Sequence, residues 1–240
     1  MIRNQTSCVI DMSIKPIGLS ALHDIHQGLQ AVFAEKDGWK KPIRYGSAKE
    51  EANHLKVGIG VTDVSFDFKL MIQGNGIDSF LAKKLPENKI LDTNRSAIDG
   101  SFSKDWTIYS RLAFDELFVV SDYSRSEQFH KSIPEEIRQD LHVLDMTSGF
   151  AGIAVTGPSA SSVMNGIAQL DFSEDEFSST ICAQTGVASV YGLVLRSDIG
   201  LVPSYRIYVN REYGRYVWES IFSSSAEYDP RPVGIEALEM

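Results

Sequence analysis

Few side chains in this chain stand at spacings that support chemistry. His23 and His26 lie three apart, which would place both on one face of a helix and is compatible with a metal ion. No carboxylate pattern completes such a site, so the pair reads as a solvent-facing helix edge and no metal is expected. Cys8 and Cys182 are the two cysteines. They are far apart, with no companion at metal-ligand or C-x-x-C spacing, which argues against a zinc site or a disulfide framework and fits a reducing cytoplasm. Asp115-Glu116 falls between two strand-like runs and reads as a solvated turn. There is no G-x-x-x-x-G-K-[ST] loop to cradle phosphates, no strand-borne G-x-G-x-x-G and no G-x-S-x-G nucleophile elbow.

One local pattern occurs twice. Ile153 to Val155 is a short apolar strand that runs into Gly157-Pro158 and then a small-residue helix. Gly157 permits a tight turn, and Pro158 suits the first turn of a helix. Leu70-Met-Ile-Gln-Gly-Asn-Gly-Ile-Asp-Ser-Phe-Leu81 repeats the scheme: apolar strand, glycine turn, amphipathic helix. Two similar α+β lobes are the expectation.

With 240 residues and 43% hydrophobic content, the chain is long enough to bury a sizeable core. Its net charge is -9, and Lys and Arg are scattered rather than striped, so nucleic acid is not an expected partner. No apolar run reaches the roughly 18 residues of a membrane span, and the N-terminus lacks the apolar core of a secretory signal. A cytoplasmic location is expected.

The elements that must hold any site follow from periodicity. Leu22, Ile25, Leu29, Val32 and Phe33 predict a helix over 20–34, with Ser20 as its N-cap. A polar, aromatic turn over 37–46 and a second helix over 47–57 follow. Residues 59–65 read as strand or loop. Strands are expected at 66–73, 105–111, 116–121, 152–156, 187–195 and 204–210, and helices at 76–84, 123–133, 158–168 and 211–222. Residues 86–100 and 173–180 read as irregular surface excursions. Strands followed by single helices without a βαβ rhythm predict an α+β fold with antiparallel sheets.

Several segments, in order, resemble the folate-binding part of the glycine-cleavage T-protein (aminomethyltransferase) family. Leu22-His-Asp-Ile-His26 and Lys36 to Ser47 resemble its "LYDxH…FAGWxMPVxYGS" segment. Glu50-Glu51 through Asp63-Val-Ser65, with Lys69 to Leu81, resembles "EExxAVRxxxGxFDVSHMGxxxVxGxDAxxFL". Phe118 to Ser124 resembles "LVVNAAN", Asp145 to Ala160 resembles "DxSxxxAxLAxQGPxA", and Pro232 to Ala237 resembles "PxGLxA". The resemblance covers nearly the whole chain and implies one aminomethyltransferase-like unit over 1–240. Its lobes would lie at about 50–144 and 145–240, with residues 1–49 packing across them.

The resemblance also implies roles. Counting back from Phe118 without gaps, the family's "GGxxDDLxVY" becomes Gly100 to Tyr109. The acidic residue held near the folate nitrogens then falls on Asp105, where a carboxylate stabilises developing positive charge and shuttles a proton. Facing solvent at a strand entry is the other reading of Asp105. Tyr109 keeps the tyrosine that helps line the folate pocket, and Asp63 organises a turn. Arg196 matches the Arg of "RTGYTGE", as an ion-pair partner or a pocket residue. The departures matter as much. "VSHM" is Val64-Ser-Phe-Asp67, the asparagine of "VVNAAN" is Ser121, and the glutamate that grips the pterin is Val202, which accepts no hydrogen bond.

The chain ends at Met240, where the family continues into "ARDxLRLE" and a barrel domain. A short form is therefore expected, with a second copy or a partner protein covering the face so left. The expected function is transfer of a methyl or aminomethyl unit to or from tetrahydrofolate, or a demethylase-like reaction, on a small-molecule substrate. Two alternatives stand beside it: a non-catalytic subunit of a heteromeric one-carbon or sarcosine-oxidase-like enzyme, and a folate-independent enzyme on the same scaffold.

Overall fold

The computed structural model describes residues 16–101, 104–133 and 135–240; the side chains at 88, 101, 104, 105, 136 and 137 lie outside that description. Cys8 falls outside it as well. The elements run α1 (His23–Gly28), β1 (Val32–Lys36), β2 (Trp39–Arg44), α2 (Ala48–His54), β3 (Gly60–Asp63), β4 (Phe68–Gln73) and α3 (Ile77–Lys84). Next come β5 (Arg95–Ser101), β6 (Lys104–Ala113), β7 (Glu116–Ser121), α4 (Ser126–Lys131), α5 (Glu135–Arg138) and β8 (His142–Asp145). The rest are β9 (Phe150–Thr156), α6 (Ala160–Ile167), β10 (Cys182–Val187), β11 (Val190–Arg196), β12 (Ser204–Asn210), α7 (Gly214–Ser224), β13 (Arg231–Pro232) and α8 (Ile235–Leu238).

The expected α+β architecture with antiparallel sheets is what the chain adopts. A five-stranded sheet has the order β5-β6-β7-β4-β8, a six-stranded sheet the order β10-β11-β12-β9-β3-β13, and β1-β2 form a separate hairpin. The pairings are antiparallel except β13 on β3. Strand alternation assigns the faces. Ile153 and Val155 of β9, with Tyr205 and Ile207 of β12, pack beneath Val163 and Met164 of α6 and Trp218 of α7. Leu70 and Ile72 of β4 and Val119 of β7 pack beneath Phe80 of α3 and Phe129 of α4. The opposite faces meet each other through Ile108, Phe118, Leu193, Leu195 and Tyr208. The layers run helix, sheet, sheet, helix.

The repeated strand–turn–helix pattern is a true structural echo. Strands β4 and β9 each end on a glycine at strongly positive φ, Gly74 at 136° and Gly157 at 145°. A Cβ at Gly74 would overlap the Asp140 carbonyl, and one at Gly157 the Gly58 carbonyl. Each strand is followed by a helix and three sheet strands in matching order. The strand preceding each unit pairs with the other unit: β3 with β9, and β8 with β4. The crossings are built alike. Asp63 Oδ1 accepts from Ser65 N at 2.9 Å, and Asp145 Oδ1 from Thr147 N at 2.8 Å. Gly152 N then donates to Ser65 Oγ, and Lys69 N to Thr147 Oγ1.

Several local expectations need correction. The helix expected over 20–34 stops at Gly28, and Val32 and Phe33 belong to β1. The region read as a turn over 37–46 contains β2, with Asp37-Gly38 at φ 55° and 75° turning the hairpin; such a pair of positive φ values matches strand twist. The strand expected over 187–195 is present as β11, but its hairpin partner β10 had no expectation, and Ala188-Ser189, both at positive φ, turn between them. Residues read as irregular over 86–100 include most of β5, and β8 had no expectation.

Candidate functional site

The structure holds a cleft of about 840 Å³. Three structures wall it. Helix α2 and its end contribute Lys49, Ala52, Asn53, Leu55 and Lys56; the β11–β12 connection contributes Asp198, Ile199 and Val202; and Ala237 through Met240 close the third side. Ile98 and Gly100 of β5 reach the rim. The walls are mainly apolar, and the charges sit at the edges, since Lys49, Lys56 and Glu239 are exposed.

Glu51 holds two of these walls together. Its Oε1 accepts from the amides of Tyr45 and Gly46, both at 2.8 Å, and its Oε2 accepts from Gly234 N at 2.8 Å. One carboxylate thus ties α2 to the segment that leads into α8. Arg44 and Glu236 add an ion pair at 3.2 Å, half exposed and so worth little by itself.

A second, narrow crevice of about 50 Å³ shares Leu238 and Glu239 with the cleft. Phe66, Trp106 and Tyr123 flank it, and Asp67 and Arg206 lie in its lining. Arg206 donates to Asp67 Oδ2, and the Tyr208 hydroxyl donates to the same oxygen at 2.9 Å. Burial pushes Asp67 above the usual carboxylate range, against the opposing pull of Arg206 and Lys69. The Lys69 ammonium is buried with it, donating to the carbonyls of Ser65 (2.7 Å) and Asp67 (2.8 Å). Burial lowers its pKa to about 8, with Asp67 and Asp63 resisting.

The expectation of a solvent-facing histidine edge is wrong. His26 is wholly buried and His23 nearly so. Hydrogen bonds join His26 Nε2 to Asp63 Oδ2 at 2.9 Å and His26 Nδ1 to the Tyr45 hydroxyl at 2.7 Å. Burial pushes Asp63 upward, but the His26 hydrogen bond and charge outweigh that and leave it lowered. Tyr45, pushed far up by burial, keeps its proton. His26 thus bridges the Asp63 carboxylate and the Tyr45 hydroxyl through its two ring nitrogens. Asp63 organises the turn as expected, and it also anchors α1.

The structure separates the residues expected to form one pocket. Val202 lines the cleft and Asp67 the crevice. Tyr109 does not line either. It is buried under α3 and α4 beside Phe80 and Phe129, because its position in β6 points to that face. Ser121 ends β7, buried between Phe68 and Thr107, with its hydroxyl turned to the Asp122 carbonyl. Arg196 is an ion-pair residue: Nε lies 3.0 and 3.1 Å from the two Asp198 oxygens, and Nη1 donates to the Phe177 carbonyl at 2.7 Å. Asp105 lies in β6 by its backbone, directly before Trp106; its side chain is outside the described residues. The aromatic flank at Trp106 and the buried Lys69 had no mark in the sequence beyond their residue types.

Comparison with known proteins bears on this geometry. A family model described as the GCVT N-terminal domain matches residues 22–240. The aminomethyltransferase of Geobacillus thermodenitrificans is 27% identical over 90% of this chain and 60% of its own length. That of Saccharopolyspora erythraea is 25% identical over 89% of this chain, again covering 60% of the relative. The chain thus spans about 60% of the curated relatives it matches. Among solved structures, the glycine cleavage system aminomethyltransferase T of Bartonella henselae superimposes with TM-score 0.76 at 18% identity, over 92% of this chain and 61% of that one. A chain of the heterotetrameric sarcosine oxidase of Corynebacterium sp. U-96 gives TM-score 0.57 at 18% identity, over 78% of this chain and 95% of that one.

Proposed function

This chain belongs to the GCVT N-terminal domain family, and from that premise we propose that its cleft binds a tetrahydrofolate-class carrier and that the protein transfers a methyl or aminomethyl unit to or from it. The observation that carries this reading is the cleft. Its volume, about 840 Å³, falls in the span of roughly 300–1,000 Å³ common to small-molecule sites. The faces of a flat ring suit Leu55, Ile98, Ile199 and Val202, and an anionic tail suits Lys49 and Lys56. The ring's N–H edge gains no acceptor from Val202, and Asp198 is engaged by Arg196 and Ser204 N. Body and tail fit; the edge needs another carboxylate.

When bound, such a carrier supplies the nitrogens on which a one-carbon unit travels. The chain's own part is to exclude water from the ring, to hold the tail and to set a carboxylate beside developing positive charge. We assign the last task to Asp105 from the resemblance of Gly100 to Tyr109 to the family's acidic motif. Calorimetric titration of the full chain with tetrahydrofolate should give a Kd between about 1 µM and 1 mM. Asp105→Asn should weaken it, and Val202→Trp, which fills the cleft, should weaken it about tenfold. No heat and no thermal shift at 1 mM ligand would remove the proposal.

A second reading has its own support. Ile98 and Met240 on the cleft rim are exposed, as are Val57 and Leu201 beside lining residues. A similar chain works within the heterotetrameric sarcosine oxidase. A subunit role, with that apolar rim against another protein, is the alternative.

A further inference from the structure

Four exposed apolar side chains gather at the mouth of the cleft. Ile98 and Met240 belong to its lining, Val57 follows the lining residue Lys56, and Leu201 stands between Gly200 and Val202. One exposed leucine is ordinary; several around a mainly apolar cavity mark a surface that another surface covers. Leu201 is exposed in full. It sits at the tip of the β11–β12 connection, where Ile199 N donates to the Val202 carbonyl and Val202 N to the Ile199 carbonyl, both at 3.0 Å. Gly200 takes φ 61° within that turn. A knob held so firmly loses little freedom on burial.

The same connection carries the knob and forms one wall of the hole. A molecule with an apolar knob beside an apolar hole is complementary to its own copy, since a two-fold axis seats each knob in the other hole and the contact closes. Charge agrees with that pairing. The α2 wall carries exposed Lys49 and Lys56. The loop side is acidic: Asp198 precedes the turn, and Arg196 ties the exposed run Glu174-Asp175-Glu176 to it, through Glu174 at 3.5 Å and the Phe177 carbonyl at 2.7 Å. Exchange of loops sets the acidic side of one copy against the basic α2 of the other. We propose that the cleft mouth is a self-association surface, in which Leu201 of each copy enters the cleft of the other. The proposal rests on the subunit reading above and names the partner as a second copy of this chain.

Light scattering of the full chain at tens of micromolar should give twice the mass of one chain. Leu201→Asp removes the knob, and Asn53→Trp, at an exposed position on the cleft wall, fills the hole. Each should weaken association by about tenfold or more, with circular dichroism unchanged. An equal mixture of the two variants should associate more tightly than either alone, because the mixed pair keeps one intact knob and one intact hole. A wild-type chain at single-chain mass overturns the proposal, and so does a mixture that associates no better than its components. The wild-type measurement needs no variant to fold. A pull-down separates the failures: a different protein recovered with a single-chain wild type keeps the subunit reading and removes this proposal alone, whereas no partner at all removes both.

Discussion

Lys69 and Gly152 occupy equivalent places, each five residues ahead of its turn glycine, at 74 and 157. Gly152 can carry no side chain, because the Val64 carbonyl and the Tyr208 ring stand where its Cβ would be. At the other place Lys69 sends a cation to the Ser65 and Asp67 carbonyls, 5.7 Å from the same Tyr208 ring. A lysine held near pKa 8 in the fold and at its ordinary value when unfolded makes stability pH-dependent. Below pH 8 both states hold the proton and the cost of burying the charge is fully present. Above it the unfolded state binds more protons, so stability rises with pH. Urea unfolding should gain about 1.5 kcal/mol between pH 8 and 9.5, a gain missing in Lys69→Met. Above that window tyrosines such as Tyr205, pushed up to about 12 by burial, reverse the trend. None of this is legible in a lone lysine within an apolar strand. Asp63-Val-Ser65 was legible as a turn, but its His26 partner was not, since helical spacing cannot show a contact 37 residues away. Val202 and Asp67 were placed by resemblance and do line cavities. Tyr109 was placed the same way and faces a core, because strand alternation, not residue type, decides the side it takes.

At the scale of elements, the turn glycines do the most. Both sit at φ near 140° with a backbone carbonyl against the α-carbon, a position closed to any Cβ. Gly157→Ala should destabilise by about 2–4 kcal/mol in urea unfolding, through strained φ and overlap with Gly58. Gly74→Ala should cost a similar amount against Asp140. Apolar runs bounded by polar or turn residues and helices with apolar i, i+3, i+4 positions were legible, so β7 and β12 fall where expected. Two hairpins were not. Helical spacing ran across Gln30 although the chain there takes φ 58°, and Ala188-Ser189 turns without the usual glycine. Both are backbone conformations that the residue types disfavour, Gln30 between α1 and β1 and Ala188-Ser189 between β10 and β11.

For the whole molecule, the surface around the cleft decides between the two functional readings. A subunit role requires the Leu201 and Val57 rim to be covered. Light scattering at tens of micromolar should then give a mass above the 26.6 kDa of one chain, and Leu201→Asp should return it to that value. A wild-type chain already at single-chain mass, with no partner recovered, leaves the carrier-binding reading. The exchange of β3 and β8 between the sheets has a different consequence, one of timing. Residues 60–63 must wait for 153–156, and β4 keeps an open edge until 142–145 arrive. On the ribosome the nascent polypeptide therefore exposes unpaired strand edges through most of its synthesis, a window for mispairing and chaperone capture. The five-stranded sheet is complete once the second aspartate turn has emerged, whereas the six-stranded sheet waits for β9 through β13.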